Sequence, residues 1–120
     1  FKQYSEKMEK NVSLKLLKDR KEKAEGAKFK KFLKLRIQLP SFQFKNNITT
    51  LINHHQVVII EGETGCGKTT QVPQFILDDK IDLLEGGKCN IICTQPRKIS
   101  AIGVASRVCE ERCEEIGSIV

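Results

Sequence analysis

Apolar positions along the first third of the chain follow helical spacing. Tyr4, Met8, Val12 and Leu16 recur every four residues and predict one apolar stripe on a helix. Glu6–Lys10 and Asp19–Lys23 add favourable i,i+4 charge pairs, each worth about 0.2–0.5 kcal/mol. Gly26 is expected to interrupt this helix, and Phe29, Phe32, Leu33 and Leu35 supply a second apolar set beyond it. Leu39-Pro40-Ser41 ends the pattern, because the residue before a proline is pushed out of the α region. A further helix is expected from about Ser41, with Phe44, Ile48, Leu51 and Ile52 on one face and Asn53-His54-His55 at its end.

The pattern then changes period. Gln56–Ile60 is a continuous, β-branched apolar run, and Asn90–Cys93 is a second. Each reads as a strand buried on both faces. A helix is expected between them, from about Gly67 to Leu77, although Pro73 inside it costs a backbone hydrogen bond and predicts a kink. Gly86-Gly87 marks a turn. After the second strand, Ser100 is the expected N-cap of a last helix, with Ala101, Val104, Ala105, Val108 and Cys109 on its apolar face and an end near Gly117. Strand, helix, strand, helix in this order implies an α/β fold with parallel strands joined by a right-handed crossover.

Charge divides the chain at the same place as the period does. Residues 1–40 hold 13 Lys/Arg against 5 Asp/Glu, and residues 41–120 hold 8 against 10, so the net +6 belongs to the N-terminal part. A basic arm suggests a polyanion such as nucleic acid; a solvated Lys-rich helix is the plainer alternative. The chain of 120 residues is near the size of one domain and starts at Phe1 rather than Met, so a piece of a longer protein is expected. With 39% hydrophobic and 30% charged residues, it has the composition of a soluble globular protein. No apolar run approaches the roughly 20 residues of a membrane span, and no membrane partner is expected.

The strongest chemical signal stands between the first expected strand and the helix after it. Gly62-Glu63-Thr64-Gly65-Cys66-Gly67-Lys68-Thr69 fits G-x-x-x-x-G-K-[ST] at every fixed position. Glycines 62, 65 and 67 let the backbone curl so that its N–H groups face a phosphate chain. The helix that follows contributes the positive end of its dipole. Lys68 is placed to reach the β- and γ-phosphates, the Thr69 hydroxyl to join a Mg²⁺ shell, and Thr70 to support an α-phosphate contact. A nucleoside triphosphate with Mg²⁺ is therefore the expected ligand, held by residues 62–70, with Lys68 and Thr69 as the residues closest to catalysis. Hydrolysis also needs an acidic residue at the end of another buried strand. No apolar run after Cys93 ends in Asp or Glu, so the catalytic acid is expected outside these 120 residues.

Cys66, Cys89, Cys93, Cys109 and Cys113 are odd in number beside a nucleotide loop, which points to a reducing, intracellular setting in the cytoplasm or nucleus. Two C-x3-C spacings invite a zinc reading, but an apolar run and a helical pattern do not gather thiolates as a turn would. Packing roles are expected for both pairs. Cys66 at a helix N-terminus is expected to react with alkylating agents. His54 and His55 are adjacent and cannot share a helix face; a place at the helix C-terminus, where the dipole favours them, is the expected role.

Residues 62–78, Gly-Glu-Thr-Gly-Cys-Gly-Lys-Thr-Thr-Gln-Val-Pro-Gln-Phe-Ile-Leu-Asp, resemble motif I of the DEAH/RHA helicases of superfamily 2. Thr94-Gln95-Pro96-Arg97-Lys98-Ile99-Ser100-Ala101 resembles their motif Ia. Leu51-Ile52-Asn53-His54-His55-Gln56-Val57 and the cysteine-containing loop look most like the branch that resolves G-quadruplexes. The charge and helical spacing give a basic helical arm over 1–37, and the resemblance, which covers about 38–120, implies there the leading part of a RecA-like ATP-binding domain, cut before motif II. It also implies a P-loop parallel sheet left incomplete. For the full-length parent it implies ATP hydrolysis coupled to 3′-to-5′ unwinding of single-stranded or structured RNA or DNA; the 120 residues alone are expected to be inactive. Thr94, Arg97 and Lys98 would touch the phosphates of the loaded strand, and Arg107 would stack on the nucleotide base. Lys98 departs from the usual arginine and forgoes a bidentate phosphate contact. The alternatives are a basic nucleic-acid- or protein-binding module on a P-loop scaffold, or another P-loop class such as a small-molecule kinase.

Overall fold

The computed structural model describes residues 2–120; Phe1, the first residue of the expected arm, lies outside the described residues. Among the described residues six helices follow one another: α1 (Lys2–Ala24), α2 (Ala27–Ile37), α3 (Pro40–Gln43), α4 (Lys45–His54), α5 (Lys68–Asp82) and α6 (Lys98–Arg112). A single 3-10 turn, Gly86–Lys88, lies between α5 and α6.

The breaks between helices follow local chemistry. Gly26, at φ −70° and ψ 142°, separates α1 from α2. Leu39 is extended at ψ 136°, as its position before Pro40 requires, and Pro40 opens α3 where it has no N–H to lose. Phe44 then splits the single helix expected from Ser41 into α3 and α4. α5 runs five residues beyond its expected end and keeps Pro73 within it. The carbonyl that Pro73 cannot serve is that of Thr69, an exposed residue whose carbonyl water can reach. α6 begins after Arg97 rather than Ser100, and ends at Cys113, whose left-handed φ of 55° closes the helix four residues before Gly117.

The expected α/β architecture is overturned. Among the described residues there is no strand and no sheet: the whole of Gln56–Glu63 and Cys89–Gln95 lacks a ladder. The physical reason lies in their surroundings. A strand satisfies its backbone only through a neighbouring strand, and an isolated pair is marginal in water. Here Val57, Ile59 and Ile92 are 78%, 91% and 84% exposed, so neither a backbone partner nor a buried face is present to hold them. The expected burial of both runs is overturned with the sheet: an apolar run states a demand for burial, and periodicity cannot supply what does the burying.

Only the last member of the apolar stripe of α1 lies on its docked face. Tyr4, Met8 and Val12 are exposed, and the helix seats Leu16 together with Ser13 and Arg20. The Ser13 hydroxyl donates to the Glu9 carbonyl (2.9 Å) and accepts the Gly87 backbone N–H (2.9 Å). Gly87 must be glycine for this approach. A Cβ there would press on the Glu9 carbonyl oxygen more closely than any real Cβ does, and would lie 2.9 Å from Ser13 Oγ. Leu16 closes over Gly86, which sits against Ile81.

The interior is small and polar. Ile48, Phe75, Ile81, Val108 and Cys109 are the buried hydrophobics, against eight buried polar or charged residues, so ion pairs join the helices as much as apolar contacts do. Phe75 is wholly buried on α5 and meets Phe42 edge to face, with centroids 5.5 Å apart and planes at 82°.

Candidate functional site

The loop from Gly62 to Gly67 is shaped by two left-handed glycines, Gly65 at φ 84° and Gly67 at φ 93°. Gly67 is fixed twice over. Its φ disfavours any side chain, and a Cβ would lie 2.8 Å from Ser41 Oγ and 3.0 Å from Leu39 Cδ1. The loop thus rests on the turn that opens α3, an attachment completed by the Ser41 N–H donating to the Cys66 carbonyl (3.1 Å). A tight bend within the loop is closed by the Cys66 N–H on the Glu63 carbonyl (3.2 Å).

Lys68 is the first residue of α5, and the Gly67 carbonyl accepts the first bond of that helix from the Gln71 N–H (2.8 Å). The Lys68 ammonium folds over the loop, donating to the carbonyls of Gly62 and Glu63 (3.1 Å to the latter) and lying 3.4 Å from Cys66 Sγ. A Cβ on Gly62 would enter the same space, 3.0 Å from Cys66 Sγ and 3.4 Å from Lys68 Nζ. The loop is therefore a cradle whose floor is a helix N-terminus, with one cation at its mouth. Those features fit a phosphate chain. Thr69 is exposed on the first turn, and the Thr70 hydroxyl accepts from Gln71 Nε2 (3.1 Å). Glu63 and Thr64 are exposed at the rim.

The remaining expected site residues are placed apart from the cradle. Thr94 and Arg97 are exposed on the segment leading into α6 and Lys98 on its first turn, and among the described residues no hydrogen bond joins them to residues 62–70. Between that segment and α5 lies a cavity of about 380 Å³, lined by Pro73, Leu77, Cys93, Gln95, Val104 and Val108 among others. Arg107 is half exposed on α6; its Nε donates to Glu111 Oε1 (2.8 Å), and its guanidinium lies 5.6 Å from the centre of the Phe32 ring. His54 and His55 end α4, with Nδ1 of each against a carbonyl of its own helix, Thr50 (2.7 Å) and Leu51 (3.1 Å). All five cysteines are free thiols, and among the described residues no group of three or more His, Cys, Asp or Glu is placed to hold a metal. Burial pushes the thiols of Cys89 and Cys109 above their ordinary range.

Sequence reasoning missed the residues behind the cradle. Glu111 Oε2 accepts from both Gln71 Nε2 and Gln74 Nε2, each at 2.8 Å. Arg36 from the arm donates to Gln71 Oε1 (2.7 Å) and stands 3.6 Å from Glu111 Oε2. Burial lowers the affinity of the Arg36 guanidinium for its proton, partly offset by Asp78 and Glu111. A second buried cluster lies one turn further along α5. Arg112 donates to Asp78 (2.8 Å) and to Glu114 (3.2 Å), and Arg20 of the arm reaches Asp78 (3.4 Å) and Asp82. Burial opposes the charge of Arg112, but Asp78 and Glu114 outweigh it and hold its pKa above the ordinary value. Only the Arg107–Glu111 spacing of four could have been read as a pair beforehand.

A curled glycine loop, a lysine at its mouth and a helix leading away have the form of a phosphate-binding loop. Comparison with known proteins narrows this. The chain is 53% identical over 105 residues to the DExH-box ATP-dependent RNA helicase DExH1 of Arabidopsis thaliana, a match covering 87% of this chain and 11% of that protein. It is 51% identical over 104 residues to the human ATP-dependent DNA/RNA helicase DHX36, covering 87% and 10%, and 52% identical over 85 residues to the human ATP-dependent RNA helicase DHX29, covering 70% and 6%. No protein-family profile matches the chain. The chain is homologous to a segment of the DExH/DEAH-box helicases and spans about a tenth of the length of the curated relatives it matches. No helix is long and apolar enough to cross a membrane.

Proposed function

We propose that this chain is the ATP-binding segment of an ATP-dependent nucleic-acid helicase, with residues 1–37 as a basic arm and 38–120 as the start of the ATP-binding domain. The observation that carries the reading is the cradle itself: positive φ at Gly65 and Gly67, with the Lys68 ammonium over the loop at the head of α5. Residues 62–70 would hold the triphosphate. Backbone N–H groups and the helix terminus would meet its charge, Lys68 would neutralise the terminal phosphates, and Thr69 would face Mg²⁺. Mg²⁺ would supply charge neutralisation between the outer phosphates. Thr94, Arg97 and Lys98 would contact the backbone of a bound RNA or DNA strand, and Arg107 the nucleotide base. The names of the relatives support RNA or DNA as the strand, and residues 51–57 support a structured substrate such as a G-quadruplex. A cytoplasmic or nuclear location is in keeping with such a substrate.

Binding is tested by titrating Mg·ATP into the chain and into Lys68→Ala. Loss of the lysine should weaken binding by at least about tenfold, since a charge-assisted contact of about 1.5–3 kcal/mol is removed. Equal affinity in the two proteins would sink the reading. In the full-length parent the same change should abolish RNA-stimulated ATP hydrolysis.

A further inference from the structure

Four donors or charges converge on one buried carboxylate. The Glu111 side chain is only 3% exposed. Its Oε2 takes Gln71 and Gln74, which lie three and six residues beyond Lys68 on α5. Its Oε1 takes Arg107, and the Arg36 guanidinium of the arm completes the set. Gln71 is itself bound to Arg36 and to the Thr70 hydroxyl, so the chain of contacts ends at the first turn of α5, where the cradle is built. Gln71 and Arg107 share one carboxylate, so Arg107 is coupled through Glu111 to a residue one helical turn beyond Lys68. The guanidinium is held from three sides, by Glu111 at its Nε, by Glu110 at Nη1 (3.4 Å) and by the Phe32 ring against its face.

We infer that Glu111 is a positioning residue for the nucleotide site, tying Arg107 to the helix that carries the phosphate cradle. The inference rests on the nucleotide-binding reading above and deepens it. Phe32 and Arg36 bring the arm into the same assembly, so α2 is a part of the site's frame rather than a free basic tail. The chemistry follows from the carboxylate's two ends. Oε2 is spent on α5, whereas Oε1 is spent on Arg107 alone. A neutral amide in place of the carboxylate can keep its oxygen toward Gln71 and Gln74. Its NH₂ group then faces the Arg107 N–H, donor against donor, and the guanidinium loses its buried anchor, keeping only the half-exposed Glu110 and the Phe32 ring. The phosphate cradle should survive this change, and contacts to the rest of the nucleotide should not.

The test compares two probes, Mg·ATP and Mg·tripolyphosphate, by calorimetry on the full chain. The second probe carries the phosphates without base or ribose. Glu111→Gln should weaken ATP binding about tenfold while tripolyphosphate affinity stays within about twofold, the size of one lost cation–π or charged contact. Arg107→Ala should do the same, and the double variant should be no worse than either single one. If Glu111→Gln does not fold by circular dichroism, Glu111→Asp replaces it. That variant keeps the charge but withdraws it by one methylene, and the same selective loss is expected. Equal losses for both probes, no loss for either, or additive losses in the double variant would overturn the inference. The two readings fail differently. If wild type binds neither probe, nucleotide binding falls and this inference falls with it. If Lys68→Ala loses both probes while the Glu111 variants bind both as wild type does, only the positioning role falls.

Discussion

The helical arm and the two apolar loops differ in what they need from the rest of the molecule. α1 and α2 satisfy their own backbones and then dock through a few long-range polar contacts: Ser13 to Gly87, Arg20 to Asp78, Arg36 to Gln71. Residues 56–63 and 89–95 carry the stronger hydrophobic signal, yet Val57, Ile59 and Ile92 stand in solvent. A helix is complete within its own sequence, whereas a strand is half of a structure. Hydrophobicity measured along a chain states a demand for burial and does not say whether a partner meets it. The three changes below test this contrast in order of expected effect.

The largest effect should come from breaking the ion pairs that dock the arm. Asp78 is 6% exposed and faces both Arg112 and Arg20. Asp78→Ala leaves the Arg112 guanidinium, itself 5% exposed, without its main counter-charge. Removing one partner of a buried pair costs about 3–5 kcal/mol. Urea denaturation should show that loss, with the arm and α6 loosening together. A loss below about 1 kcal/mol would mean that water reaches Arg112 and that the polar docking is weaker than its burial suggests.

An intermediate effect is expected where the arm meets the 3-10 turn. Gly87→Ala places a methyl group against the Glu9 carbonyl and Ser13 Oγ, both on the docked face of α1. Backbone cannot move aside as a flexible side chain can, so a loss of about 1–3 kcal/mol is expected from overpacking. Amide exchange should quicken along residues 9–20 and stay unchanged in α4, which touches neither group. Uniform quickening would place the weak point elsewhere.

How far the sequence discloses this molecule depends on the range of each interaction. The loop 62–69, the break at Gly26 and the stop at Leu39-Pro40 are all written within a few residues, and each is where the sequence put it. The breaks inside 41–54 and at Cys113 were not legible, since Phe44 and Cys113 carry no turn signature of their own. The sheet failed for want of partners. The carboxylate behind the cradle was hidden for another reason. Arg36, Gln71 and Glu111 are 35 and 40 residues apart in succession, and a charged residue on a helix looks like solvent-facing decoration until the fold brings its neighbours round it. Tyr4, Met8 and Val12 show the converse, an apolar stripe that the docking of α1 leaves outside.

The smallest effect is the most informative about the unpaired segments. Ile59 is 91% exposed and belongs to no helix or ladder, so Ile59→Thr removes almost no buried area. Threonine keeps the β-branched shape and therefore the local backbone preference. Stability by urea denaturation should change by less than about 0.5 kcal/mol, the range of an ordinary surface position. The same side chain buried against a sheet would lose more, because replacing its ethyl branch by a hydroxyl removes buried apolar atoms and puts an unpaired polar group in an apolar place. A loss above about 1 kcal/mol would therefore mean that Ile59 is buried in solution, and that residues 56–63 find a partner surface there. A null result would assign the stability of the chain to its helices and their ion pairs, and leave the apolar run as a surface awaiting one.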